Sequence, residues 1–449
     1  METYQDRLRA LTEALRKTAG EPVRLGKDTS NLFRRRDAER GGSLNVRNMH
    51  NVLAVDADAG WVEVEGMTPY ERLLDATLRH GCMPAVVPQL KSITIGGAVS
   101  GIGIESSSFR YGLPHETVIE MDVLLGHGEV LACTATNEHR DLFLAMPNSY
   151  GTLGYITRLK VATITVKPFV ELTHIAVKDP REYFATIETW CESDVDFVDG
   201  VVFDEGEHYV TIGRFVERAP YCSDYTYHDI YYRSIRERTV DYLTVRDYIW
   251  RWDTDWFWCS KTLFAQNPLV RRMLGKKRLN STFYTKVMRY NSRWGITRKL
   301  NRLFGKQPES VIQDVDIPIE NASAFLEFFQ SEIGIQPVWI CPIGHHRPEL
   351  EYALYPLDTD RLFVNFGFWD SVPNHQGFPD GHFNRLIEEK VKQLGGIKSL
   401  YSDVYYAEEE FWRLYNGTAY QILKARYDPH DRLRNLYEKC VARHAPSAD

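Results

Sequence analysis

The glycine-rich stretch from Thr94 to Gly112, TIGGAVSGIGIESSSFRYG, limits what this chain can fold into more than any other part of its sequence. Five of its nineteen residues are glycine. Glycine loses more conformational freedom on folding than any other residue, so an ordered segment carries many glycines only where its backbone approaches something closely. Two interpretations are open: a loop packed tightly against the protein, or a backbone lying along an extended pyrophosphate that accepts main-chain N–H groups.

Two common nucleotide-binding motifs do not fit this stretch. A P-loop requires Lys-Ser or Lys-Thr after its last glycine, and neither pair occurs here. The Rossmann fingerprint requires a third glycine three residues after the Gly101-x-Gly103 pair, and Ser106 stands at that position. The residues around the stretch also lack the βαβ frame of that fold. The sequence therefore favours a different kind of phosphate cradle.

Length and composition restrict the class of protein. A chain of 449 residues exceeds what one hydrophobic core usually supports, so we expect two or three domains. The 12% of aromatic residues fits a large apolar cavity, although an aromatic core would give the same value. A net charge of −7 argues against general nucleic-acid binding. Seven scattered cysteines without a CxxC pair indicate reduced thiols, so we expect neither disulfides nor a bound metal.

Strand and turn signals change in character near residue 166. Before it, we predict strands at 52–55 and 61–65, a helix at 69–80 and a hairpin turn at 126–128. After it, we predict strands at 170–177, 201–215, 310–320, 336–344 and 361–370, with helices at 180–192, 321–334 and 383–396. The regular alternation of a doubly wound sheet is missing. We therefore expect an α+β protein.

No apolar run is long enough to span a bilayer, and the N-terminal METYQDRLRALTEALRKTAG predicts a polar amphipathic helix rather than a signal peptide. We therefore expect a cytoplasmic protein. One segment, Arg271 to Lys306, departs from the acidic average with twelve Lys or Arg and no Asp or Glu. Its interleaved apolar residues are Met273, Leu274, Leu279, Phe283, Tyr284, Trp294, Leu303 and Phe304.

This basic segment has two interpretations. It is either a solvated surface or a site for an anionic membrane, which attracts Lys and Arg by roughly 1 kcal/mol each near its surface. Four tryptophans lie just upstream in DYIWRWDTDWFWCS, and tryptophan favours membrane interfaces. We expect Arg271–Lys306 to bind the inner face of the membrane peripherally.

With its flanks, the glycine stretch resembles the vanillyl-alcohol-oxidase (PCMH) type of FAD-binding domain, and within it the flavin-dependent Δ24-sterol reductases of the seladin or Diminuto type. Their pattern GGxxxGxGIESSSxxYG is matched by Gly96, Gly97, Gly101, Gly103, Ile104, Glu105, Ser106, Ser107, Ser108, Tyr111 and Gly112. Two other blocks agree, PVWICP and YSDVYYAEEEFW, through Pro337, Trp339, Cys341, Pro342, Tyr401, Asp403, Tyr405, Glu409, Glu410, Phe411 and Trp412. The resemblance runs from about Pro22 to Arg443 and is weakest between about Glu171 and Ser310.

The resemblance implies an α+β architecture with a two-subdomain FAD-binding domain and an inserted α+β cap domain. The implied limits are 1–165 for the FAD-binding domain, 166–398 for the cap, and 399–449 for a C-terminal segment that returns to the first domain. The implied FAD contacts are Thr94, Ile95, Gly96, Gly97, Ala98, Val99, Ser100, Gly101, Ile102, Gly103, Ile104, Glu105, Ser106, Gly151, Thr152 and Gly154. Because no histidine stands between Gly81 and Pro114 to tether a flavin, we expect noncovalent FAD.

A flavin reductase of a carbon–carbon double bond needs a hydride at flavin N5, a proton donor for the other carbon, and a dry cavity. Glu105 could donate the proton if burial raises its pKa. Equally, it could be a carboxylate hydrogen-bonded to its serine neighbours or to Arg110. Tyr401, Asp403 and Tyr405 alternate, so they share one face of an extended run and could relay a proton, although buried tyrosines commonly only satisfy hydrogen bonds.

We therefore predict an FAD-dependent reductase acting on a long apolar lipid, with NADPH as the reductant. The preferred substrate is a methylene-branched fatty acyl chain that is reduced to a methyl branch, which implies a methyltransferase partner in the pathway. The alternative is a Δ24-sterol side chain. An FAD-dependent alcohol or sugar oxidase and a non-catalytic lipid-binding flavoprotein stay open as other classes.

Overall fold

The computed structural model describes residues 2–18, 20–28, 33–34, 42–294 and 308–441. The C-terminal part of the basic segment, with Leu303 and Phe304, lies outside these residues. Helix and sheet are mixed throughout, as an α+β class requires. The two-subdomain arrangement and the inserted cap stay predictions.

The N-terminal part of the chain forms two sheets. Strands β1 and β2 are a parallel pair, and β3 to β8 form a second sheet in the order β3-β4-β8-β6-β7, with β5 also pairing with β8. The strands are β1 Val23–Gly26, β2 Gly42–Asn45, β3 Val52–Asp56, β4 Trp61–Glu65, β5 Cys82–Pro84, β6 Val118–Leu124, β7 Val130–Thr134 and β8 Tyr155–Thr165. The helices are α1 Tyr4–Arg16, α2 Tyr70–Leu78, α3 Ile95–Gly101, α4 Ser108–Tyr111 and α5 Arg140–Ala145.

The C-terminal part contains an eight-stranded sheet in the order β12-β9-β11-β10-β14-β15-β13-β16. Its strands are β9 Phe169–Val177, β10 Phe197–Asp204, β11 Glu207–Val216, β12 Val240–Thr244, β13 Pro308–Pro318, β14 Val338–Ile343, β15 Phe363–Pro373 and β16 Ile397–Lys398. The prediction of one strand over 201–215 is wrong. The chain reverses at Gly206, whose φ of +69° suits glycine, and β10 pairs with β11 as a hairpin.

The two faces of this sheet have different neighbours, because successive side chains of a strand point in opposite directions. Val338 and Ile340 of β14 belong to a core that includes the helices α6 Pro180–Cys191, α11 Ala322–Glu332 and α12 His382–Gln393. Trp339 and Cys341 point the other way, into a core shared with the N-terminal sheet. This second face therefore looks towards the glycine-rich stretch.

The remaining helices are α7 Tyr231–Ser234, α8 Val245–Ile249, α9 Pro268–Leu274, α10 Ser281–Trp294, α13 Glu408–Leu414, α14 Gly417–Tyr427 and α15 Leu436–Cys440. The last two contact the N-terminal part: Lys424 Nζ donates to Thr152 O over 3.2 Å and Lys439 Nζ donates to Tyr150 O over 2.7 Å. Strand β8 of the N-terminal sheet ends at Thr165, and β9, the first strand of the eight-stranded sheet, begins at Phe169. The last strand of that sheet, β16, ends at Lys398. The domain limits 1–165, 166–398 and 399–449 stay predictions.

The basic segment Arg271–Lys306 is not exposed along its whole length. Arg271 is only 2% exposed and pairs with Asp255, so its charge does not reach solvent. Leu279 and Tyr284 are also buried in the core. These three residues therefore cannot contact a membrane in this conformation: Arg271 on α9 and Tyr284 on α10 face the protein, and Leu279 is buried between the two helices. Membrane binding by the rest of the segment stays a prediction.

Within the described ranges, no helix combines the length and hydropathy that a bilayer crossing requires. No group of three or more His, Cys, Asp or Glu side chains in the described part of the chain is arranged to hold a metal ion.

Candidate functional site

The N-terminal half of the glycine stretch is the short helix α3 rather than an extended loop. Thr94 caps it, with its Oγ1 accepting from Gly97 N over 3.3 Å. Ile95 N donates to Thr68 O and Gly96 N donates to Gly66 O. These two backbone amides are therefore satisfied within the protein, whereas contacts of the rest of the stretch with a pyrophosphate stay a prediction.

The glycines of the stretch differ in what surrounds them. A Cβ on Gly96 would stand 2.6 Å from Gly66 O, and one on Gly103 would stand 2.9 Å from Pro88 Cγ, so close packing requires both glycines. A Cβ on Gly97 would stand 2.8 Å from Thr94 Oγ1, the cap of α3, and would meet no other neighbour among the described residues within 4 Å. Glycine inside a helix costs roughly 0.5–1 kcal/mol relative to alanine. A side chain at Gly97 would therefore disturb the cap but would otherwise enter space that the described residues leave free.

Between Thr94 and Ser106, where FAD contacts are predicted, the partly exposed residues identify the open side: Gly97, Ser100, Ile102 and Gly103. Ile102 has a φ of +60°, which is a strained conformation for a β-branched residue, and such strain clusters at ligand-binding sites. Thr94, Ile95, Gly96, Ala98, Val99, Gly101, Ile104, Glu105 and Ser106 are buried. The open side is where the pyrophosphate part of an FAD can approach, and the buried residues pack behind the open side.

The second predicted FAD segment packs directly against the first. Tyr150 N donates to Ser100 O and Tyr150 Oη donates to Gly101 O, both over 2.8 Å. Gly151 has a φ of +75°, and Thr152 donates to Ser149 O inside the protein. A Cβ on Gly154 would stand 2.4 Å from Val123 Cγ1. The sequence analysis missed Tyr150, which joins the two segments, because a tyrosine beside glycines has no distinctive spacing.

Glu105 is 1% exposed and belongs to a group that we call the Arg251 cluster: Glu105, Ser106, Asp199, Tyr248, Arg251 and Trp339. Ser106 Oγ donates to Glu105 Oε1 over 2.5 Å, as the structural alternative for Glu105 predicted. Arg251 Nη2 lies 2.8 Å from Asp199 Oδ2 and 3.4 Å from Glu105 Oε1. Arg110 contacts Ser193 and Asp194 instead.

Burial raises the pKa of Glu105, and Arg251 opposes this shift. Asp199 is the closer partner of Arg251 and also accepts from Trp339 Nε1 over 3.2 Å. The second oxygen of Glu105, Oε2, has no partner among the described residues. Asp199 is therefore the counter-ion of the arginine, and Glu105 is the member of the pair that more readily holds a proton.

Tyr401, Asp403 and Tyr405 are partly exposed while the residues between them are buried, so the predicted alternation is present. Their surroundings differ. Tyr401 Oη accepts from Trp369 Nε1 over 2.9 Å, and Lys398 Nζ donates to Asp403 O over 2.7 Å. The ring of Tyr405 lies under Arg385 on α12. A proton relay through all three residues stays a prediction.

A second carboxylate pair was missed by the sequence analysis. Asp314 and Asp316 follow the alternation of β13 and point to the same face as Trp339 and Cys341. We call their surroundings the Asp314 cluster: Asp314, Asp316, Tyr355, Asn365 and Tyr401. Burial, and then the charge of Asp316, raise the pKa of Asp314 to about 8 against the effect of Tyr401. The signal in the sequence was two acids at alternate positions of one strand, which places both on the same face.

Asp316 is held by neutral groups. Tyr355 Oη donates to its Oδ2 over 2.6 Å and Asn365 Nδ2 donates to its Oδ1 over 2.8 Å. Burial raises the pKa of Asp316 to about 6 despite these bonds. Asp314 is half-buried, and its Oδ1 is without a hydrogen-bond partner in the described part of the chain. The pair can therefore hold a proton at neutral pH.

The Asp314 cluster adjoins the predicted FAD segments. Tyr150, whose hydroxyl group binds Gly101, interacts with Asp314 and with Tyr401. Arg34 lies 4.9 Å from the ring of Tyr150 on the other side. Tyr150 therefore links the glycine stretch, through its hydrogen bond to Gly101, with the electrostatic surroundings of Asp314.

Comparisons with known proteins bear on the part of the chain that contains the glycine stretch and on its relatives over most of its length. A family model described as an FAD binding domain matches residues 3–134. The Delta(24)-sterol reductase of Rattus norvegicus is 27% identical over 430 residues, which cover 88% of this chain and 78% of the relative. The Delta(24)-sterol reductase of Arabidopsis thaliana is 24% identical over 443 residues, with 88% and 76% covered. Cytokinin dehydrogenase 3 of Arabidopsis thaliana is 34% identical over 134 residues, covering 28% of this chain and 24% of the relative.

The short match to cytokinin dehydrogenase and the long match to the sterol reductases confirm the resemblance expected from the glycine stretch. The chain therefore carries an FAD-binding domain and is an FAD-dependent oxidoreductase related over most of its length to the Delta(24)-sterol reductases.

Proposed function

We propose that this protein reduces an isolated carbon–carbon double bond in an apolar lipid, with Asp314 as the proton donor. The observation that carries the proposal is the half-buried Asp314, whose pKa burial and Asp316 raise to about 8 and which interacts electrostatically with Tyr150, the residue that binds Gly101. The open side of the glycine stretch would hold FAD, which in its reduced form would supply a hydride to one alkene carbon. Asp314 gives its proton to the other carbon, and water restores that proton after each turnover.

The residues around Asp314 support this role. Tyr401 interacts with Asp314 and is held by the indole of Trp369, so it orients the acid. Phe257 lies 4.4 Å from Trp369 between ring centroids, which gives the site an apolar wall. An isolated alkene carries no polar group that could assist its protonation, and an acid in a dry, aromatic site suits that chemistry.

Two substrates are candidates. The relatives named Delta(24)-sterol reductase favour a sterol side chain. A methylene-branched fatty acyl chain is favoured by an exposed apolar and basic surface around α9, which suits a phospholipid. The acyl substrate would require a methyltransferase partner that introduces the branch. NADPH is the proposed electron donor for either substrate.

The test uses the purified flavoprotein with NADPH in deuterium oxide and two substrates, a Δ24-unsaturated sterol and a phospholipid with a methylene-branched acyl chain. We expect a reduced product with one solvent-derived deuterium on the carbon that receives the proton. Mass spectrometry identifies which substrate is reduced. Oxygen consumption with an alcohol or sugar, and no reduced lipid, would instead support an oxidase.

The flavin site has its own test. Gly97→Val places a side chain on the open side of the stretch, where it contacts only the Thr94 cap, and should weaken FAD binding with a smaller loss of stability than Gly103→Val, which disturbs the contacts with Pro88 and Pro114. Absorbance of bound flavin and thermal unfolding separate the two effects. Acid precipitation of the wild type should release all the yellow colour, since we propose noncovalent FAD; colour in the pellet would contradict this.

A further inference from the structure

Three large apolar side chains stand in solvent around α9. Phe264 is 75% exposed, Leu269 is 74% exposed and Met273 is 81% exposed. Phe264 ends a 3-10 helix, Cys259–Leu263, and accepts from Asn267 N in the turn that leads into α9. Phe264 itself has a φ of +56°, an uncommon conformation for an aromatic residue. The protein thus holds an apolar ring outward at the start of this helix.

The orientation of α9 is fixed from its opposite side. Arg271 makes two bonds to the Asp255 carboxylate, Nη1–Oδ1 of 2.6 Å and Nη2–Oδ2 of 2.9 Å, and both residues are buried. Leu269 and Met273 are two residues before and after Arg271, which places each about 200° around the helix from it. Because Arg271 is anchored inside, the two apolar side chains must face outward.

The charges next to this apolar face are positive. Arg272, Lys276, Lys277 and Arg278 are exposed. Lys276 Nζ lies 3.3 Å from Asp224, whereas ion pairs of Arg272, Lys277 and Arg278 are absent from the described part of the chain. An apolar ridge bordered by unpaired cations is complementary to an anionic bilayer, whose headgroups attract the cations while its acyl chains accept the apolar groups.

The residues that precede Phe264 in the chain contact the aromatic side of the candidate site, at Trp369. Trp258 precedes the 3-10 helix, and its ring lies 5.6 Å from that of Trp369. Cys259 Sγ contacts Trp369 O, and Lys261 binds Asp370 on the same strand. Trp369 in turn binds Tyr401. A few residues therefore connect the exposed Phe264 to the Asp314 cluster.

We propose that Phe264, Leu269 and Met273 insert into an anionic phospholipid bilayer, with Arg272, Lys277 and Arg278 at the headgroup level. This surface replaces the longer segment expected from the sequence, because it excludes the buried Arg271. Docking here brings the aromatic wall of the site next to the bilayer. A lipid substrate then reaches the site from the membrane.

The test is flotation of the flavin-loaded protein with vesicles of phosphatidylcholine alone or of an equal mixture with phosphatidylglycerol. The wild type should float with the mixed vesicles and remain below with the neutral ones. The triple variant Arg272→Gln, Lys277→Gln, Arg278→Gln should bind about 100-fold more weakly, since three headgroup interactions are lost. The triple variant Phe264→Ser, Leu269→Ser, Met273→Ser should lose at least about 10-fold.

Ile422→Ser is the matched control, because Ile422 on α14 is 65% exposed and lies outside the proposed surface. It should float like the wild type. Bound flavin and thermal unfolding confirm that each variant is folded. Equal flotation of the wild type and both triple variants would overturn the proposal. So would a dimer in sedimentation velocity that dissociates in the serine variant without any vesicle binding, which would assign the face to a second copy of the chain.

Discussion

Two carboxylate pairs lie at the side of the eight-stranded sheet that looks towards the glycine stretch, and they differ in the charge of their partners. Glu105 and Asp199 share Arg251, which lies 2.8 Å from the nearer oxygen of Asp199. Asp314 and Asp316 are held by a tyrosine, an asparagine and a second tyrosine, all of them neutral. A nearby cation stabilises the ionised form of a buried carboxylate. Where the partners are neutral, burial instead favours the protonated, uncharged form. The first pair is suited to holding the glycine stretch and β10 together through Arg251, and the second is suited to donating a proton.

The first prediction concerns the Arg251 cluster and is the largest in free energy. Asp199→Asn should lower the free energy of unfolding by about 3 kcal/mol, because it removes the nearer counter-ion of a buried arginine. Glu105→Gln should cost less than about 1 kcal/mol, since the amide resembles the protonated acid. Urea unfolding at neutral pH measures both. Equal losses would mean that the two carboxylates share Arg251 evenly.

The second prediction concerns the Asp314 cluster. Asp314→Asn should slow lipid reduction by at least about 100-fold, the lower range for loss of a general acid, while bound flavin stays normal. Asp358→Asn, at an exposed carboxylate that pairs with Arg361, is the control and should retain wild-type turnover. If Glu105→Gln loses turnover and Asp314→Asn does not, the assignment of the two clusters is reversed.

The third prediction is smaller and tests how the pair holds its proton. Asp316 raises the pKa of Asp314, so Asp316→Asn should lower it. The alkaline fall in turnover should then begin at a lower pH, while turnover at acidic pH stays near that of the wild type. Rates across a pH series measure the shift. An unchanged profile would show that Asp316 does not act on the proton donor.

Local patterns in the sequence led to the glycine stretch and to Tyr401, because dense glycines and alternating polar residues are visible without a structure; their roles stay predictions. Asp314 was missed because its environment depends on the pairing of β13 with β15. Asp314 lies opposite Gly367 of β15, and Asn365 of β15 binds the neighbouring Asp316. The role of Arg251 depends likewise on Asp199, which is 52 residues away in the sequence.

The basic segment also shows that contacts between residues distant in sequence are not visible in local patterns. Its charge was evident from composition, but Arg271 became part of the interior through Asp255, sixteen residues before it. The short helix at Ile95–Gly101 was not anticipated either, because Thr94 can cap a helix as well as lead a loop. Packing partners distant in sequence decided each of the other cases.

The most direct test of Asp314 as the proton donor is the pH dependence of a single turnover. The flavin is reduced chemically beforehand, so that NADPH is not involved, and its reoxidation by the lipid alkene is followed by absorbance. The account predicts a rate that is constant in acid and falls as pH rises through about 8, as Asp314 loses its proton, with a slow and pH-independent rate in Asp314→Asn. A wild-type rate that does not change across that pH range, or an unimpaired Asp314→Asn variant, would contradict it.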